Sequence, residues 1–180
     1  LCVIENEDEF SENDIEAPAG ALFNITDQKT LYSKNANDER EIASITKIMT
    51  ALLAMKYADL SQEVTISYTP EGLESSAVLC GFEQGDKMML SSLLSAALIY
   101  SGNDAAIDIA IAVAGSQEAF VDMMNQESKE LMTSHTHFAN PTGLTQSKHY
   151  SSVYDVYLMF QECLKYPTFR DIIARGSFLC

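Results

Sequence analysis

At 180 residues, 47% of them apolar, the chain is about one domain long and carries enough apolar material to build a core, which excludes a disordered chain. Twenty-six acidic against 11 basic residues give a formal charge of -15, which repels phosphate backbones and anionic membrane surfaces and excludes nucleic-acid binding. No apolar run reaches the roughly 18 to 20 residues of a membrane helix. No charged-then-apolar signal segment is present, and because the chain begins at Leu1 an upstream segment is expected to have been removed or left out.

In chain order, residues 1–16 concentrate acid in Glu5, Glu7, Asp8, Glu9, Glu12, Asp14 and Glu16 and read as a solvated leader or linker ahead of Ala17-Pro18-Ala19-Gly20. Residues 20–26 and 30–34 are β-prone runs around a polar Asp27-Gln28-Lys29 turn, which predicts a hairpin, with Asn24-Ile25-Thr26 inside its first strand. From Ala43 to Leu60, Ile45, Ile48, Met49, Leu52, Leu53 and Met55 recur at steps of three and four, predicting an amphipathic or buried helix closed by residues 59–63. Val64-Thr65-Ile66 is a short strand candidate. The region of Pro70, Gly72, Gly81 and Gly85 reads as loop. Residues 89–100 and 104–113 predict two helices broken at Ser101-Gly102-Asn103. Ser116 then caps a helix whose Phe120, Met123, Met124 and Leu131 share a face. Asn140-Pro141-Thr142-Gly143 is a turn, Ser151 or Ser152 caps a helix to about Leu164, and Pro167 starts a last one through Ile173.

The cysteines Cys2, Cys80, Cys163 and Cys180 are scattered and unpaired in sequence, signalling neither zinc nor a disulfide framework, and read as ordinary thiols. His135 and His137 share a strand face, but a catalytic metal normally takes three protein ligands and no third lies near. The methionines read as core filler.

Ser44-Ile45-Thr46-Lys47 is the segment with chemistry in it. At a helix start this spacing stacks the lysine amine one turn along from the serine hydroxyl. An alcohol needs a base to become a nucleophile, and a lysine kept neutral by desolvation can be that base, while the helix start offers backbone donors to a developing oxyanion. The spacing alone arises by chance about once in a chain of this composition, so its value rests on the buried helix that follows it. Asp104 reads as a first-turn helix charge rather than a catalytic acid.

The run 41–52 around Ser44 and Lys47 resembles the S-x-x-K segment of the serine D-Ala-D-Ala carboxypeptidases, the low-molecular-weight penicillin-binding proteins. Ser101-Gly102-Asn103 is similar to their S-x-N, and Thr136 to Leu144 and Tyr150 to Asp155 match in order and spacing, as do Tyr32 and Asn35 in the hairpin; the likeness spans residues 17–169. The resemblance implies an α/β (α+β) fold of the β-lactamase/transpeptidase type. It implies Ser44 as acylated nucleophile, Lys47 as general base, Ser101 as proton relay to the leaving D-alanine and Asn103 as holder of the substrate amide. Peptidoglycan stem peptides and β-lactams are the implied partners, export to the cell envelope the implied location, and no metal or organic cofactor is implied. One element departs: no Lys-Thr-Gly occurs, since Lys29-Thr30 is followed by Leu31 and Thr142-Gly143 is preceded by Pro141. The resemblance puts that strand beyond the Pro167 helix. Residues 17–180 are therefore expected to form a partial domain, with a helical subdomain and an incomplete antiparallel sheet that has its amino-terminal hairpin and lacks its carboxy-terminal strands. Its catalysis is expected to be weak or absent. The alternatives are a non-catalytic fragment or degenerate paralogue that binds cell-wall peptide, and a β-lactamase, against which Ser-Gly-Asn and Asn-Pro-Thr-Gly-Leu both speak.

Overall fold

The computed structural model describes residues 1–3, 15–68, 73, 75 and 77–175, and everything in it is arranged around one helix. That helix, α1 (Lys47–Tyr57), follows a 3-10 turn at Ala43–Thr46 and buries Lys47 and every residue from Met49 to Ala54. Burial on all sides decides between the amphipathic and the buried reading, because only a core helix can dispense with a solvated face. It is shorter than predicted: Ala58 turns extended and the Asp59 carboxylate takes the Ser61 N–H and hydroxyl, closing the chain after Tyr57.

α3 (Asn103–Ala114), α4 (Gln117–Glu130) and α5 (Val153–Cys163) pack on α1, while α2 (Leu90–Ser95) packs on α3 and α6 (Pro167–Ile173) on the turn Ala96–Tyr100 that follows α2. Met49, Leu52, Leu93, Ile109, Phe120, Met124, Met159 and Phe169 form their common core. The helix starts obey local rules: Ser116 accepts from the Ala119 N–H and Ser152 from the Asp155 N–H, and Pro167 opens α6 where no backbone donor is needed. Of the two serines offered as cap before α5, Ser152 is the one.

The hairpin consists of β1 (Gly20–Asn24) antiparallel to β2 (Lys29–Lys34), with a bulge between Leu22 and Phe23. Its turn begins earlier than predicted. Asn24 ends β1, and its side-chain oxygen accepts from the Thr26 and Asp27 N–H groups, so Ile25 and Thr26 lie in the turn and not in the strand. Phe23 stacks on Tyr157 at 4.2 Å between ring centroids and meets Tyr154 edge-on at 6.1 Å, which docks the hairpin on α5. Val3 bridges Lys29 on the far edge of β2, and Cys2 is buried with its carbonyl accepting from the Tyr154 hydroxyl. Residues 4–14, most of the stretch expected to be an acidic leader, lie outside the described residues, as does Cys180.

A second small sheet pairs β3 (Glu63–Thr65) with β4 (Lys87–Met89). The partner strand carries no alternation in sequence, and Met89 ends it rather than opening a helix. After α2 the chain widens into a π turn over Ala96–Tyr100, closed by Ser101 in the left-handed region at φ 64. This gains one residue over an α-turn and ends the helix with the Gly102 N–H on the Ala96 carbonyl.

One polar pair braces this core. Glu127 of α4 is buried and accepts from Lys56 Nζ of α1 at 2.7 and 2.9 Å and from the Tyr57 hydroxyl, while Lys56 stays one-third exposed. Lys56→Met strands a buried carboxylate and is expected to cost about 3 kcal/mol. Glu127→Gln leaves an ammonium that water can reach and should cost about 1 kcal/mol. Urea unfolding of both variants checks the asymmetry, and equal losses would contradict it.

Candidate active site

The 3-10 turn brings Ser44 and Lys47 together. With three residues per turn, side chains at i and i+3 eclipse, and Lys47 Nζ lies 3.2 Å from Ser44 Oγ. Ser44 is exposed and Lys47 is buried. The turn is strained into place: Ala43, just before the nucleophile candidate, has φ 43, a left-handed conformation that costs a non-glycine residue about 1 kcal/mol or more. Its carbonyl lies so close to Gly143 that a Cβ there would sit 1.9 Å from it.

Lys47 Nζ has two further partners, Asn103 Oδ1 at 2.8 Å and the Thr142 carbonyl at 2.8 Å. Ser101 is not bonded to it. Burial pulls the Lys47 ammonium from 10.5 down to about 8, against the opposing influence of Cys80 and Asp104. The amine is therefore neutral in an appreciable fraction of molecules near neutral pH, which is the state a base needs.

Asn103 opens α3, with its N–H on the Val78 carbonyl. Next to it Asp104 does more than end a helix: its carboxylate accepts from the Cys80, Gly81 and Ala105 N–H groups, clamping the 78–81 segment along the Ser101-Gly102-Asn103 turn. A Cβ at Gly102 would meet Cys80 Sγ at 2.3 Å.

A family model described as D-alanyl-D-alanine carboxypeptidase matches residues 6–174. The chain belongs to that family.

Among curated members, it is 41% identical over 158 residues to the D-alanyl-D-alanine carboxypeptidase DacF of Bacillus subtilis (strain 168), a match covering 85% of this chain and 40% of that protein. It is 34% identical to DacC of Escherichia coli (strain K12), covering 83% of this chain and 41% of that one. The chain thus spans about 40% of the length of these carboxypeptidases. In three dimensions it superposes on an S96A mutant of the Streptomyces K15 DD-transpeptidase with TM-score 0.82 at 28% identity, covering 88% of this chain and 65% of that one. It superposes equally on a D-alanyl-D-alanine carboxypeptidase from Mycobacterium tuberculosis H37Rv, with TM-score 0.82 at 26% identity, covering 90% and 61%. The transpeptidase-type fold expected from the sequence is the fold observed.

Within this carboxypeptidase fold the structure assembles Ser44, Lys47 and Asn103 directly and sets Ser101, half-buried, at the rim of the same turn. Three supporting groups were not singled out from sequence. The Thr142 carbonyl is backbone in what read as a plain turn. His149 is buried, accepts from the Ala139 N–H at Nδ1, and so presents Nε2–H to Thr46 Oγ1 at 2.7 Å, bracing the residue between Ser44 and Lys47. Burial first, and His137 second, hold its imidazole below the ordinary histidine value, which favours this neutral form. Thr50 Oγ1 donates to the Pro141 carbonyl. Thr50 and Thr142 lie inside the matching runs 41–52 and 136–144 and His149 just before the matching run 150–155, which is the one sequence signal that pointed near them. The two histidines considered as metal ligands are committed otherwise, His137 Nδ1 lying 2.6 Å from the Lys148 carbonyl and His135 facing Glu39 at 3.9 Å.

Proposed function

We propose that this chain carries the acylating half of a serine D,D-carboxypeptidase that removes the terminal D-alanine from peptidoglycan stem peptides and is inhibited by β-lactams. The observation that carries the reading is the set of partners on Lys47. A neutral amine has two N–H donors and one lone pair. Asn103 Oδ1 and the Thr142 carbonyl can only accept, so they take the two N–H groups. The lone pair is left facing Ser44 Oγ.

The Ser44 hydroxyl then gives its proton to Lys47 as Oγ attacks the carbonyl carbon of the D-Ala-D-Ala bond. Collapse of the tetrahedral species expels D-alanine, whose nitrogen receives that proton through Ser101, and leaves an ester on Ser44. Water hydrolyses the ester and restores the hydroxyl. Asn103, its oxygen held by Lys47, keeps its Nδ2–H₂ for the substrate amide.

The family's envelope location supports an extracytoplasmic site of action; no described helix is long and apolar enough to cross a membrane. Prolonged incubation with a penicillin, followed by intact mass and peptide mapping, tests the reading. A single adduct on Ser44 that disappears in Ser44→Ala is expected. An adduct that survives Ser44→Ala, or none in a chain shown to be folded, would replace it with the cell-wall peptide-binding module. Hydrolysis of a cephalosporin chromophore without release of D-alanine would instead mark a β-lactamase.

A further inference from the structure

The Asn140–Gly143 turn is built around a single side chain. Asn140 Oδ1 accepts three bonds, from the Thr142 N–H at 3.1 Å, the Thr142 hydroxyl at 2.9 Å and the Gly143 N–H at 2.8 Å. Its Nδ2 donates to the Leu144 carbonyl at 2.9 Å and to Gln146 Oε1 at 3.0 Å. With the turn's N–H groups gathered inward on one oxygen, two successive carbonyls, of Pro141 and Thr142, point outward to α1. There they meet Thr50 Oγ1 and Lys47 Nζ, two side chains three residues apart on one helix face.

We propose that Asn140 is a positioning residue for the reaction, acting through the Thr142 carbonyl to hold the Lys47 amine in the one rotation that aims its lone pair at Ser44. The inference rests on Lys47 being the general base, and it adds what keeps the base aligned. Asn103 supplies one fixed acceptor, but a single acceptor leaves the amine free to turn about that bond and offer Ser44 an N–H instead of the lone pair. The second acceptor removes that freedom. Nothing in the Thr142 side chain supplies it, because the acceptor is backbone and its direction is set by Asn140.

The distinguishing readout is the titration of Lys47, followed by the ¹³Cε shift in lysine-labelled protein with the resonance assigned by its loss in Lys47→Met. In Asn140→Ala the ammonium loses an acceptor, so its midpoint should fall by about half a unit or more below that of the parent. General loosening of the site would admit water and move the midpoint upward, toward the unperturbed value. Asn140→Asp keeps the three-fold acceptor but loses both Nδ2 donations, to the Leu144 carbonyl and Gln146 Oε1, and should hold the midpoint above that of Asn140→Ala. Where acylation is measured, Asn140→Ala should lower its saturating rate tenfold or more while leaving the half-saturating penicillin concentration within about twofold, and Asn140→Asp, which keeps only the acceptor side of the turn, should recover part of the loss. An unchanged or raised midpoint in Asn140→Ala overturns the proposal. If that variant does not fold, Asn140→Ser, with a shorter acceptor, carries the same expectation of a lowered midpoint. Because the titration needs no turnover, absence of a Ser44 adduct in the parent would count against the carboxypeptidase reading and not against this one.

Discussion

Replacing Lys47 by methionine is expected to slow acylation of Ser44 by about a thousandfold, the middle of the range for removing a positioned general base. The loss follows from geometry: the amine is the basic group bonded to Ser44 Oγ, and it is oriented by Asn103 and the Thr142 carbonyl. In the parent the rate should climb with pH and level off above about 8, where burial has placed the titration of this lysine, and the variant should show no such rise. The same displacement has a stability consequence whose sign is opposite to that of an ordinary ion-paired lysine. Between about 8 and the unfolded value of 10.5 the unfolded chain binds the proton that the folded chain has released, so stability rises with pH across that window. Below it both states are protonated and the full penalty of burying the charge is present. Denaturant unfolding of parent and Lys47→Met at pH 7 and pH 10 should therefore show the parent gaining on the variant as pH rises. A gap that stays constant would mean that burial does not lower the titration of Lys47.

The second large effect is expected at Gly143. At φ 87 an L-side chain is strained in any environment, and here a Cβ would also lie 1.9 Å from the Ala43 carbonyl oxygen and 2.9 Å from Thr46 Oγ1. Both obstacles belong to the turn that carries Ser44, so the chain can accommodate alanine only by moving the candidate nucleophile. Backbone strain and overpacking together should cost about 3 kcal/mol, or roughly 6 to 12 °C in Tm for a chain of this size. Gly85 provides the control, since at φ 97 it has nothing within 4 Å of an added Cβ and Gly85→Ala should lose only the conformational part, about 1 kcal/mol. Thermal unfolding of the two variants side by side decides the matter. Gly143→Ala no worse than Gly85→Ala would show that the close approach to Ala43 is not maintained in solution.

Much of the architecture was legible because its causes are local. Ser116 and Ser152 cap helices with their own hydroxyls, Pro167 opens α6, and the steps of three and four from Ile45 to Met55 mark a helix whatever surrounds it. Ser44 and Lys47 were legible for the same reason, since three residues of helical rise bring one over the other. Where the structure departs from these readings, the cause is one that composition conceals. Asn24 could continue a strand or fold its side chain over the Thr26 and Asp27 N–H groups, and it does the latter. Met89 is as apolar as the helix it precedes, and it is drawn into β4 by pairing with Glu63, a partner remote in sequence.

The helical subdomain, the hairpin, the Ser44–Lys47 pair and the break at Ser101-Gly102-Asn103 could all be read from the chain order, because each depends on residues within a turn or two of one another. What Lys47 does with its hydrogen atoms depends on packing, because its two fixed acceptors are 56 and 95 residues away and one of them is a carbonyl with no side-chain identity to read. Packing likewise decided that His149 braces Thr46 across 103 residues, and that Gly143 must be glycine because Ala43 lies against it. Hydrogen bonds between distant segments are set by how helices pack, and packing is a property of the whole core that no single stretch of sequence contains.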